Sequence, residues 1–290
     1  SNGYKVLSFQ TYKAICLIPP GLSGEPFQMI TITPFQNIKI TSVMDKATTD
    51  HIKFLADKYE TEAFLASDPS QFMHKVSGDA NQETMAFIAS CLSYGSRKQF
   101  FGKIQYLLDA SEGNPYEWIS SGRWKEALPD TTDCFYRLYT FHDMHTTFCT
   151  LASLISEHGS LKAYVNKNAS TGIEAVEAIC AYFAEHEANA IIPKNAKSAC
   201  KRICMFLRWM VRDGSPVDLG LWSDIIDRRT LIMPLDTHVV QESLRMGLLK
   251  SRTASMGTAR RLTDAMLEIF PDDPLKGDFA LFGLGVDEER

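Results

Sequence analysis

Asp236 and His238 stand two residues apart in the run Leu231 to Leu248, LIMPLDTHVVQESLRMGL. Pro234 forces an extended backbone, so Asp236 falls where a helix N-cap belongs and a helix starts at Thr237. A capping carboxylate satisfies backbone N–H groups, worth about 1 kcal/mol. Turned toward a cleft, the same group can stabilise positive charge building on a substrate. Upstream, Ser198 to Arg212 reads SACKRICMFLRWMVR. Cys200, Cys204, Leu207 and Val211 follow the period of one helix face and should meet a core, with Lys201, Arg208 and Arg212 on a neighbouring stripe. That stripe suits phosphates, although a solvated face with stems lying over the core has the same spacing. A third group, Phe141-His142-Asp143-Met144-His145 with His74 upstream, offers a His-Asp pair of the kind used by metal phosphohydrolases. Such sites need three or four converging ligands, and one dipeptide is a weak start.

The elements that must position these groups are helical. Thr49 or Asp50 can cap a helix through Ile52, Leu55 and Tyr59 that stops before Asp68-Pro69. Met85, Ile88, Ala89 and Leu92 mark a second helix from about Gln82, ended by Gly95, and Phe100, Ile104, Leu107 and Leu108 a third. Asn114-Pro115, Ser121-Gly122 and Pro129-Asp130 punctuate the middle. Phe135 to His158, Thr171 to His186, Ser198 to Arg212, Trp222 to Asp227, Thr237 to Met246 and Thr258 to Ile269 read as further helices, with Pro216 to Leu221 as a connector. Residues 1–43 differ: four prolines and two alternating stretches, Ile30 to Thr33 and Ile38 to Thr41, suit short strands or an ordered tail ahead of a start at Met44. No strand is expected after them. The fold class is all-α.

Composition narrows the function classes. With 290 residues, 45% hydrophobic and 22% charged, the chain can bury a large core and is neither disordered nor fibrous. No apolar run approaches the roughly 20 residues that cross a bilayer, so no membrane is expected. Seven scattered cysteines without a C-x-x-C pair argue against a disulfide framework, a zinc ribbon or a cysteine-ligated cluster, and a cytoplasmic setting is the economical expectation. No G-x-G-x-x-G or Walker loop occurs, so no cofactor or metal is expected. Net charge is −5, yet Lys194 to Arg252 holds eleven Lys or Arg against six Asp or Glu, a local excess of +5 compatible with a phosphate-bearing ligand.

The segment Pro234-Leu235-Asp236-Thr237-His238-Val239, followed by Arg245-Met246-Gly247-Leu248, resembles the catalytic segment of helix-hairpin-helix base-excision DNA glycosylases such as endonuclease III and the oxoguanine glycosylases. Glu83 to Arg97 and Thr258 to Gly285 are similar to that superfamily's early helix and closing helices. Together with Leu207 to Arg212 and Asp278-Phe279-Ala280-Leu281, they look like a bacterial family of unknown function, a divergent relative. The resemblance implies two helical subdomains, residues 82–212 as one half and 44–80 with 236–290 as the other. It implies excision of a flipped base with Asp236 stabilising charge on the sugar, DNA as the partner with RNA left open, and a monomer. Lys197 is then the candidate nucleophile, with Lys194, Lys201, Arg208, Arg212 and His238 on the nucleic acid and Tyr94, Trp209 and Trp222 as base-stacking candidates.

Departures from the pattern accompany the resemblance. The superfamily hairpin keeps two glycines that let backbone N–H groups reach a phosphate. The matching run here, Ile192-Pro193-Lys194-Asn195-Ala196, has neither. Asp213 to Arg229 is an insertion, a candidate loop over the cleft. A non-catalytic nucleic-acid or protein binding module on the same scaffold is the alternative function, and the metal phosphohydrolase a third.

Overall fold

Asp45, not Thr49 or Asp50, opens the first helix: its side chain accepts the Thr48 N–H at 2.9 Å, and α1 runs Lys46–Tyr59 with Ile52, Leu55 and Ala56 buried. The computed structural model describes residues 45–287, so the strands or tail expected over 1–43 lie outside the described residues. After α2 (Glu62–Leu65), Asp68 caps a 3-10 turn at Pro69–Lys75. Next come α3 (Asp79–Leu92), in which every residue from Glu83 on is buried, α4 (Arg97–Ala110) and α5 (Pro115–Ser120).

The expected helix from Phe135 begins only at Phe141. Its first residues form an antiparallel pair, β1 (Cys134–Tyr136) and β2 (Tyr139–Thr140), with Tyr136 opposite Tyr139. Thr140 then caps α6 (Phe141–His158) in a reciprocal box with Asp143, which fixes the helix start six residues late. Ser160 caps α7 (Leu161–Asn168), and Thr171 with Glu174 caps α8 (Gly172–Glu185). An irregular segment, residues 186–200, separates α8 from α9 (Lys201–Val211) and contains the run matched to the glycine hairpin. Asp236 caps α10 (Thr237–Arg245), Ser255 caps α11 (Met256–Ile269), and α12 (Lys276–Asp287) closes the described chain.

α3 is the hub, packed on the 3-10 turn, α4, α5 and α9, while α12 lies along α1 and α10. The turn at 69–75 packs on α3, α4 and α2. Gly285 lets α12 approach α10 closely, since a Cβ there would lie 2.7 Å from the His238 Cβ. The inserted stretch 213–229 is not a flap, and the short helix expected at Trp222–Asp227 is a set of turns. Trp222 is fully buried, its backbone N–H bonds the Met210 carbonyl, and its ring meets Phe206 edge-on. Segment 213–229 is anchored to the end of α9 by this burial and by the backbone bonds to the Trp209 and Met210 carbonyls. The described chain is mostly helical, and none of its helices is long and apolar enough to cross a membrane.

Candidate active site

Asp236 divides its two oxygens between structure and cavity. Oδ1 accepts the Val239 N–H at 2.8 Å, which is the capping bond. Oδ2 lies 3.9 Å from the Lys201 Nζ, and the Asp236 side chain keeps 13% of its surface exposed. Both residues border a cavity of about 250 Å3, whose wall also includes Tyr94, Arg208, His238, Asp278 and Phe282. On the other side of the pair runs a wider groove of about 710 Å3, lined by Tyr94, Gly95, Lys201, Asp236 and α10 out to Arg245 and Arg252. The carboxylate thus borders both the smaller cavity and the larger groove, which has cationic residues along it.

The ridge read from α9 separates into two environments. Lys201, at the first helical position, reaches the cavity. Arg208 and Arg212 are buried, because Ile203 to Val211 is buried all round and leaves no polar face. Arg208 pairs with Asp278 and with Asp218 at 3.2 Å, and its guanidinium lies 4.5 Å from the Phe279 ring centroid. Arg212 pairs with Asp218, with Asp273 at 2.7 Å and with Glu60 at 2.7 Å. Its role is to tie α9 to α1 and to the turn before α12; it offers nothing to a phosphate. Burial pulls the Arg212 pKa down, but the surrounding carboxylates outweigh it and hold the group above its ordinary value. Asp278 responds the other way: burial, helped by the Asp236 charge and opposed by Arg208, pushes its carboxyl up to about 6.

Lys197 and Lys194 are exposed in the irregular 186–200 segment, and neither borders the cavity or the groove. The helical register assumed for Lys197 fails because α9 starts four residues later, after Cys200 in the left-handed region at φ 44°. The lysine beside Asp236 is Lys201. Of the stacking candidates, Trp209 and Trp222 are fully buried, and the Trp222 Nε1 donates to Glu83 at 2.9 Å, so neither presents a face to a base. Tyr94 borders both cavity and groove. The phosphohydrolase constellation disperses as well. His74 bonds the Val217 carbonyl, His142 pairs with Asp130, Asp143 serves the α6 cap, and His145 bonds the Leu128 carbonyl. Among the described residues no three His, Cys, Asp or Glu side chains are grouped to hold a metal.

Sequence reasoning gave no site role to Asp278, which stood out as a lone acid in the apolar run DFALFGLG and in the motif Asp278-Phe279-Ala280-Leu281, and it missed the β1–β2 turn. At that turn Leu138 is 84% exposed, the most exposed large hydrophobic side chain among the described residues. It is held in place: its N–H donates to the Tyr94 hydroxyl at 3.2 Å, and the Tyr136 hydroxyl donates to the Tyr94 carbonyl at 2.5 Å. Arg137 lies over the Tyr94 ring at 5.4 Å and fills the space a Cβ on Gly95 would need. The turn is therefore fixed at Tyr94 and Gly95, which both border the cavity.

A family model described as "Protein of unknown function (DUF2400)" matches residues 68–287, 220 of the 290. No curated protein and no solved structure matches the chain.

Proposed function

The chain belongs to the DUF2400 family, and from that premise we propose that it is a base-excision glycosylase acting on a nucleotide flipped out of a nucleic-acid duplex, DNA first. The observation that carries this reading is the divided Asp236: one oxygen spent on the α10 cap, the other toward Lys201, in a residue that borders both the smaller cavity and a groove lined by Lys201, Arg245 and Arg252. A base inside a duplex is inaccessible, so chemistry at its glycosidic bond requires extrusion into a pocket. The trench follows the backbone phosphates, the cavity receives the base, and Tyr94 at the boundary stacks on it. The Asp236 carboxylate then faces the sugar carbon, where positive charge builds as the C–N bond lengthens, and lowers the energy of that state. Leu138, exposed on the turn that its N–H ties to Tyr94, fills the gap left in the base stack.

The test is a panel of duplexes each carrying one lesion, scored separately for excision and for binding. Asp236→Asn should lower turnover on the responsive duplex by about 100-fold or more, while the melting temperature holds because asparagine caps a helix as well as aspartate. Unchanged turnover rejects the role. If borohydride traps an adduct on abasic DNA, a lysine attacks the sugar beside the water reaction, and then Lys201→Ala should abolish the adduct and Lys197→Ala should leave it. Binding without excision anywhere in the panel would favour the non-catalytic module, to which the glycine-free 186–200 segment points.

A further inference from the structure

The cavity contains a second carboxylate that the charge-stabilising role of Asp236 leaves unused. Asp278 sits in the first turn of α12, with its side chain 94% buried. Its Oδ2 is held by the Arg208 guanidinium, and its Oδ1 takes no hydrogen bond from any described residue, which leaves that oxygen to the cavity. Arg208 is itself fixed from behind by Asp218 and stacked on Phe279, so the carboxyl cannot swing away without breaking a buried pair. The opposite walls are aromatic: Tyr94, Phe100 and Phe282 all border the same space. Ligand pockets generally run about 300–1,000 Å3, so a cavity of about 250 Å3 has room for one ring system and not for a whole nucleotide.

We infer that Asp278 is the proton donor to a nucleobase held in this cavity, meeting a ring nitrogen of the leaving group through Oδ1. The inference rests on the glycosylase reading for its chemistry, but the binding it requires does not. In the step, the bond from the sugar carbon to the ring nitrogen breaks and its electron pair stays on the base. The proton moves from Asp278 Oδ1 to the base. Water adds to the sugar carbon and its proton goes to Asp236 Oδ2. Asp278 is left as a carboxylate against Arg208, and exchange with solvent restores both groups. The surroundings raise the proton affinity of this carboxyl, so that near neutrality it takes up its proton as the base binds. Asp236 from α10, Asp218 from the insertion and Asp68 before the 3-10 turn oppose its ionisation; Arg208 and Lys201 from α9 and Arg97 from α4 favour it, with His238 on the α10 wall. Burial tips the balance, and Asp278 titrates at about 6.

The experiment is calorimetric titration of the full chain with free adenine, guanine, cytosine and uracil, with indole as a ring lacking an acceptor nitrogen, in buffers of different ionisation enthalpy. The wild type should bind at least one of the four bases more tightly than indole. It should take up close to one proton per base bound at pH 7.5 and almost none at pH 5. Asp278→Asn, which keeps a donor but cannot titrate, should bind the same base with no proton uptake at either pH. Asp278→Leu should lose at least tenfold in affinity. If no base outbinds indole, if uptake is absent in the wild type, or if it persists in Asp278→Asn, the inference is overturned. Should both variants fail to fold, Asp278→Glu decides: its carboxyl reaches one methylene further into a small cavity, and an affinity equal to wild type would overturn the assignment. Base binding with proton uptake in a chain that excises nothing from the duplex panel would sink the glycosylase reading and leave this site standing.

Discussion

Replacing Glu83 by glutamine tests which of two opposed forces rules the buried junction between α3, α7 and segment 213–229. Glu83 Oε1 accepts the Leu161 N–H at 2.9 Å, while Oε2 accepts the Lys162 N–H at 3.1 Å and the Trp222 Nε1–H at 2.9 Å. It thereby joins α3 to the first turn of α7 and to the insertion. Three N–H donors favour the ionised form; burial opposes it and prevails, pushing the carboxyl from 4.5 up to about 7. A carboxyl whose pKa is raised by folding stabilises the fold fully below its unfolded value, and that contribution is lost as pH rises through the folded value. At about 1.4 kcal/mol per pKa unit, ionising Glu83 costs the wild type about 3 kcal/mol between pH 4.5 and pH 8. Glutamine does not titrate. Urea denaturation of both proteins should find Glu83→Gln within about 1 kcal/mol of wild type at pH 4.5, where glutamate and amide are both neutral and each turns one poor partner toward a donor. At pH 8 the variant should have gained about 3 kcal/mol relative to wild type. A variant that loses ground as pH rises would mean the three donors outweigh burial and keep Glu83 ionised, and the reasoning would fail.

Other consequences concern the cations and the exposed turn. Arg212→Met strands Asp218, Asp273 and Glu60 in a largely buried setting, so it should destabilise by about 3–5 kcal/mol; if it folds, the salt dependence of nucleic-acid binding should be unchanged. Arg252→Ala, exposed on the trench, should do the reverse: stability within about 0.5 kcal/mol, and a slope of log K against log salt shallower by about 0.9 if the arginine meets one phosphate. A flat salt response in the wild type would remove the phosphate role from the trench altogether. Leu138→Ala should weaken 2-aminopurine unstacking in a duplex while leaving single-strand binding unchanged; equal loss on both would make Leu138 a general contact instead of a gap filler.

What the sequence determined by itself was local. Asp236 as an N-cap, the α10 span and the apolar stripe of α9 through Cys204, Leu207 and Val211 follow from proline stereochemistry, capping and helical period. The all-helical class followed from the same period, and the hairpin at 134–140 escaped it because five paired residues are too few to display alternation. Tertiary structure decided everything that depends on which face is covered. Periodicity located Arg208 and Arg212 on a polar stripe, yet buried carboxylates from four other segments wrap that stripe and turn it inward. Trp209 and Trp222 were legible as aromatics that could stack on a base or fill the core, and burial decides for the core. Lys201 replaced Lys197 because one left-handed residue at Cys200 delays the helix, and Asp278 joined Asp236 only through the docking of α12 beside α10. Helix starts and caps depend on energies within a few residues. A cavity depends on which distant segments share its walls, and that is set by packing across the whole chain.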